Sequence, residues 1–352
     1  MFDWLSHTRQ ATLTVLLAFP AFLMPAVAVA QDVGLARFEF HSVGNDTPID
    51  AYVFYPAAEP TSSTPIGIYE VAARADATAL EGKKPLVVIS HGQGGSPLGH
   101  HDLATFLASH GYIVASLEHP KDNVRDDSGV GTVDVLLGRP AQLSALLDAL
   151  VADRRWARLI DFERIGVAGF SMCGYTALIL AGARPNFTRL TEFCRKGIEP
   201  AMCELLERKG ASLDADRPAD AYVAYLQSAA RDQGSLADSR IRAAFVMAPM
   251  ALVFDESGLA DVKRPVYLHY ATADRVLEPA RNAGNLLAWL PGLAGRAAIV
   301  GADHWVYLAP CSPALAQAAP EICIDSPGID RALVHRQVER EALAFFATYL
   351  KP

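Results

Sequence analysis

Eight short apolar runs, each bounded by turn residues, recur along the chain at residues 35–43, 49–55, 85–90, 112–117, 164–169, 243–248, 266–270 and 297–300. Helical patterns separate most of them, at residues 102–109, 139–157, 175–183, 279–290 and 331–350. Strands this apolar need cover on both faces, and their alternation with helices makes them mostly parallel. The expected fold class is therefore α/β, a mostly parallel eight-stranded sheet with helices on both faces. The first two runs lack an intervening helix and are expected to open the sheet as an antiparallel pair.

One stretch breaks the alternation. Residues 186–240 are charged and Ala-rich, with helical spacing around 199–209 and 219–230, and lie between one helix and the next strand. An insertion there projects over the strand ends where open α/β sheets bind ligands. It is read as a helical cap stapled by Cys194 and Cys203, against the alternative of a surface excursion with no part in binding.

The amino-terminal thirty residues have a different character. Arg9 precedes an apolar stretch from Ala11 to Met24, and small residues follow up to Ala30, before Gln31. This is the pattern of a cleaved export signal over residues 1–30; Pro20 interrupts a stretch already short for a membrane anchor. No later segment has the ~18 uninterrupted apolar residues of a span, so no stable membrane span is expected after cleavage. Cysteine usage agrees with a periplasmic or secreted protein: Cys194 and Cys203 lie nine apart, and Cys311 and Cys323 twelve apart. In an oxidising compartment these four can form two local bridges, although spacing does not fix the connectivity. The net charge of -8 and the absence of any Lys/Arg run argue against a nucleic-acid partner.

The chemistry concentrates around Ser171. Residues 164–169 read as a buried strand and 175–183 as a helix, joined by the cramped turn Gly169-Phe170-Ser171-Met172-Cys173-Gly174. A sharp strand-to-helix turn lifts a serine off the sheet edge and tolerates only small residues two positions to either side, here Gly169 and Cys173. The helix start directs backbone N–H groups at the same place, so Met172 N–H is a candidate oxyanion donor. Taken alone, the pattern also suits a purely structural turn.

Three further stretches supply partners. "PLVVISHGQGG", residues 85–95, ends a buried strand in a Gly-rich loop able to approach a ligand closely, with Gln93 N–H as the second oxyanion donor and His91 fixing the loop. It lacks the spacing and the Lys-Ser/Thr ending of a phosphate loop. Asp274 follows the strand at 266–270 and suits the role of orienting a histidine, although it or Glu278 also suits a helix cap; Asp255 is the reserve. His304 follows the last strand after a short loop, and the order Ser171, Asp274, His304 is the one a nucleophile elbow of this kind requires. Cys173 is read as packing rather than reactive. His100, His101 and His119 are read as solvated or loop-fixing rather than metal ligands, and Trp305 and Tyr307 as lining a pocket or packing the core.

These motifs resemble the α/β-hydrolase superfamily, and within it the predicted dienelactone hydrolases and platelet-activating-factor-acetylhydrolase-like esterases. The resemblance runs over essentially all of residues 31–352, through the strand order, His91-Gly92-Gln93-Gly94-Gly95, Gly169-Phe170-Ser171, Ala273-Asp274 and Asp303-His304. Two departures stand out: Cys173 occupies the place of the elbow's usual second glycine, and Ser171 that of the cysteine nucleophile of dienelactone hydrolases proper. The resemblance implies a serine hydrolase cleaving a small-molecule carboxylic ester with Ser171, Asp274 and His304, with no cofactor and no metal. Lactonase or peptidase activity on the same residues, or a non-catalytic binding homologue, are the alternatives.

Overall fold

All eight apolar runs become strands of one sheet in the computed structural model, which describes residues 30–42, 44 and 47–351. The strands are β1 (Asp32–Phe40), β2 (Ile49–Ala57), β3 (Ser63–Ile66), β4 (Tyr69–Ala72), β5 (Arg74–Ala75), β6 (Lys84–Ser90), β7 (Ile113–Leu117), β8 (Ile160–Phe170), β9 (Ile241–Met247), β10 (Val266–Ala271) and β11 (Leu293–Ile299). The main sheet has the order β11-β10-β9-β8-β6-β7-β2-β1-β5. β2 runs antiparallel to β1 and β7, and the other neighbours pair in parallel. The ninth strand, unforeseen in the sequence, is the two-residue β5, which pairs with Gly34 and Leu35 at the edge. β3 and β4 form a separate hairpin whose polar, half-exposed residues give no apolar run to read. The expected leader, residues 1–30, lies outside the described residues except for Ala30.

The central strands β6, β7 and β9 and the second half of β8 are apolar because both faces are buried. Along β6, Leu86 and Val88 enter a core shared with the helices Gly138–Ala152 and Met172–Leu180, while Val87 and Ile89 enter the opposite core, shared with His101–Ser109 and Arg331–Tyr349. Each buried Leu, Ile or Val contributes about 1.5–3 kcal/mol of transfer free energy.

The helices depart from expectation where a side chain competes for the backbone. The pattern at 139–157 divides into Gly138–Ala152 and Trp156–Leu159, because Asp153 Oδ1 accepts the N–H groups of Arg155 and Trp156 and ends the first helix. The pattern at 279–290 becomes helical only over Ala283–Trp289; Asn282 turns its Oδ1 to the N–H groups of Ala251 and Leu252 instead. The helix after Ser171 begins earlier than its pattern, at Met172.

The segment 186–240 contains three helices, Thr188–Arg195, Pro200–Gly210 and Pro218–Gln233, the first of them unforeseen. Cys194 and Cys203 are joined, as are Cys311 and Cys323. The insertion is anchored rather than loose, since Leu190, Leu206, Val223 and Leu226 join one of the two cores. Three of its polar contacts run to loops that follow strand carboxyl ends: Tyr222 Oη donates to Gly131 O at 3.1 Å, Arg189 Nε to Leu252 O at 2.9 Å, and Arg281 Nε to Glu199 at 3.0 Å, while Asp238 and Arg240 bind Ser144 and Asp148 of the helix Gly138–Ala152.

The carboxyl-terminal helix Arg331–Tyr349 carries a buried charge cluster. His335 Nδ1 donates to Asp102, and its Nε2 donates to Val306 O at 2.9 Å. Two acceptors call for the doubly protonated ring; burial works against that charge, but Asp102 outweighs it and raises the His335 pKa above 6.5. Asp102 is likewise pushed up by burial and pulled down further by His335, to about 2. Burial and the Asp102 charge raise Glu339 to about 7, with His335, Arg336 and Arg340 acting in the opposite sense. The His335 contribution is complete below pH 6.5 and disappears as pH rises through its folded value, while that of Asp102 is lost only as pH falls from 3.8 towards about 2. The Glu339 penalty is absent below its ordinary 4.5 and complete above about 7. Stability is therefore expected to decline from mildly acidic towards alkaline pH. Thermal melts should find Glu339→Gln stabilised at about pH 8, by on the order of 1 kcal/mol after discounting for solvent screening, and nearly unchanged at about pH 4.

Candidate active site

β8 ends at Phe170, and the next residue, Ser171, takes φ 58° and ψ -119° before the helix starts at Met172. Left-handed φ is costly for a residue with a side chain, and the local hydrogen bonds hold it there. Ser171 N–H donates to Met247 O at 2.9 Å, while Ser171 O accepts from Gly174 N at 2.9 Å and Met250 N at 3.0 Å. A Cβ on Gly169 would overlap the Cys173 carbonyl, and one on Gly174 would overlap Pro249. The turn is cramped for this reason: glycine is needed at 169 and 174, whereas the 173 side chain points elsewhere, into a buried polar cluster.

The structure brings Ser171, His304 and Asp274 together at the carboxyl edge of the sheet. His304 Nε2 lies 3.0 Å from Ser171 Oγ, and His304 Nδ1 lies 2.7 Å from Asp274 Oδ2. His304 is fully buried and Asp274 nearly so. The other carboxylate oxygen of Asp274 accepts the N–H groups of Val276 at 2.9 Å and Leu277 at 2.7 Å, so the turn after β10 fixes its orientation. Asp274 thus does cap backbone, but of this turn and not of the helix at 283–289.

The ring of His304 is packed between two aromatic side chains, and its backbone is capped. Phe170 packs against it with centroids 4.7 Å apart, and Trp305 meets it edge-on at 5.1 Å. Asp303 caps the short 3-10 helix His304–Tyr307, accepting His304 N–H at 2.8 Å, and also pairs with Arg275. Burial would raise the Asp303 carboxyl, but these N–H donors and the Arg275 charge outweigh it and lower its pKa. Phe170 and Asp303 lie inside motifs that the sequence shows, but nothing in the sequence marks the part either plays in holding His304.

Gln93 lies in the loop after β6. Gly95 N–H donates to Gly92 O at 3.1 Å, which closes a turn with Gln93 and Gly94 at its centre, Gly94 at φ 62°. Gly94 N–H donates to Asp122 Oδ1 at 2.8 Å. A Cβ on Gly92 would come within 3.1 Å of the Phe170 ring, so this loop lies directly against the Ser171 turn. Met172 opens its helix, and a first-turn N–H has no partner within the helix.

The remaining candidates separate clearly. Asp255 caps the helix Glu256–Leu259 and accepts Asn186 Nδ2 at 2.6 Å, so it serves the insertion. His91 fixes its loop, with Nδ1–H donating to Gly92 O at 2.7 Å and Nε2 accepting His119 N–H at 3.1 Å. His100 and His119 are buried rather than solvated; burial brings His100 down to about 4 and, helped by the Arg139 charge, keeps His119 neutral. Tyr307 is core, 1% exposed, whereas Trp305 is half-buried. Cys173 is buried, and that burial pushes its thiol up to about 11. Replacing Ser171 by Gly should relieve the φ strain and raise the unfolding free energy by about 1 kcal/mol, measured by denaturant titration.

Residues 68–164 match the family model described as platelet-activating factor acetylhydrolase, isoform II. No curated protein matches the chain. Among solved structures, a ferulic acid esterase from Streptomyces cinnamoneus superposes with a TM-score of 0.60 at 18% identity, over 93% of this chain and 92% of that one. By its strand order and layered helices the chain has a mostly parallel α/β fold similar to that of this esterase, and over residues 68–164 it is similar to the acetylhydrolase family.

Proposed function

We propose that the chain is an exported serine esterase that cleaves small carboxylic esters through an acyl-enzyme. The observation that carries this reading is the hydrogen-bonded series Ser171 Oγ, His304 and Asp274, at 3.0 and 2.7 Å, with its hydroxyl on a strained turn. The partial family match and the structural neighbour both carry the names of ester hydrolases, which favours this bond type. Export is supported by the two disulfides, which persist in oxidising compartments.

With Asp274 accepting Nδ1–H, the His304 ring presents an unprotonated Nε2 to Ser171. As Ser171 Oγ attacks the ester carbonyl, Nε2 takes the hydroxyl proton and Asp274 stabilises the resulting imidazolium. The negative charge that develops on the carbonyl oxygen is received by Gln93 and Met172 N–H, donors fixed before substrate arrives. Collapse expels the alcohol, protonated by His304, and leaves the acyl group on Ser171. Water, deprotonated by the same Nε2, then attacks the acyl carbon and regenerates the serine. The insertion at 186–240, seated on loops beyond β7, β9 and β10, acts in this reading as the cap that bounds the acyl or alcohol group.

Hydrolysis of p-nitrophenyl butyrate by Ser171→Ala should fall by roughly 10⁴-fold or more in kcat with the melting temperature kept, and labelling by a fluorophosphonate should vanish. A Ser171→Ala protein that retains near wild-type turnover would sink the proposal.

A further inference from the structure

Behind the Ser171 turn lies a sealed polar cluster that the ester chemistry does not use directly. Arg139, on the helix Gly138–Ala152, and Asp122, on the loop after β7, form an ion pair with both side chains 0% exposed. Arg139 Nη2 also donates to His91 O and lies 2.7 Å from Cys173 Sγ, while Asp122 Oδ1 accepts Gly94 N–H at 2.8 Å. The Cys173 thiol itself points at His91 O and Ser90. Around them His119 passes a hydrogen bond from Ser90 Oγ, at 2.7 Å, to Gln142 Oε1, at 2.7 Å.

The partners of the pair are distributed in a telling way. Two of them, His91 O and Gly94 N–H, lie on either side of Gln93 in the loop after β6. The third, Cys173, adjoins Met172 in the turn after β8. A guanidinium is planar and rigid, with donors at fixed angles, so it sets distances between its acceptors that a flexible point charge does not. We propose that Asp122 and Arg139 are positioning residues that hold the Gln93 and Met172 N–H groups at the spacing a tetrahedral oxyanion needs, with the Cys173 side chain as the link to the elbow. A glycine at 173 offers Arg139 no such atom, which gives the departure at this position a use. This inference rests on the esterase reading for its catalytic part and on geometry alone for the clamp.

Removing one partner leaves a buried, unpaired charge and risks the fold, whereas replacing both by apolar groups of similar volume often leaves stability intact. The test is therefore the double variant Asp122→Leu/Arg139→Met, with Cys173→Ser alongside it, compared with the wild-type chain. Hydrogen–deuterium exchange reads residues 91–95 and 171–175, and steady-state kinetics on p-nitrophenyl butyrate reads the consequence. The double variant should exchange faster in both segments and lose on the order of 10–100-fold in kcat, a fraction of what a lost oxyanion donor costs. KM should stay within about twofold, the shape of the pH profile should be unchanged, and a trifluoromethyl ketone should lose affinity in proportion to kcat/KM. Cys173→Ser, which keeps a donor and acceptor at that place, should stay within a few-fold of wild type. A double variant with wild-type exchange in both segments overturns the clamp, and one with wild-type kcat at wild-type active-site titre overturns the positioning role. If the wild-type chain hydrolyses no ester, the esterase reading fails by itself, and the exchange data still decide the clamp.

Discussion

The backbone conformation of Ser171 is the constraint on which the site depends. A residue with φ 58° cannot continue β8 or begin a regular helix, so it persists only because Met247 O, Gly174 N and Met250 N hold its two peptide groups. Those partners come from the adjacent strand, the following helix and the loop beyond β9. The strain, which costs about 1–3 kcal/mol, is offset by the surrounding sheet, and the hydroxyl stands clear of the strand within hydrogen-bond reach of His304 Nε2. Shortening β9 or displacing Pro249 would release the turn without touching the hydroxyl.

His304 and Asp274 are oriented by the same principle: each is fixed through backbone groups of its own loop. Asp274 accepts two N–H groups downstream, and Asp303 secures the N–H of His304. The ring then has few rotamers left, between Phe170 and Trp305, while its two nitrogens face an acceptor and a hydroxyl. Loops this constrained have little conformational entropy left to lose, which is what the proposed acyl transfer requires of a preorganised site.

The sheet was legible in the sequence because a strand buried on both faces leaves an unbroken apolar run, and the residues at the ends of β6, β8, β10 and β11 inherit their positions from that pattern. Ser171, Asp274 and His304 could be read for this reason. Features built from side chain to backbone contacts were not: the truncation of the helix at 283 follows from Asn282 capturing two N–H groups on a loop thirty residues away. Arg139 was hidden for a similar reason, since a charged residue near a helix start looks like a solvated one until Asp122 is placed beside it. The hairpin of β3 and β4 escaped because half its residues face solvent.

His304 is secured from far along the chain: His335 grips Val306 O, Ala309 N–H donates to Gly99 O at 3.0 Å, and Ser312 Oγ donates to Ile68 O at 2.6 Å. Synthesis proceeds from the amino terminus, so the elbow emerges long before the helix that steadies the imidazole. An unfinished polypeptide that stops short of residues 304–349 therefore carries the Ser171 hydroxyl with neither His304 nor the helix that holds Val306 beside it.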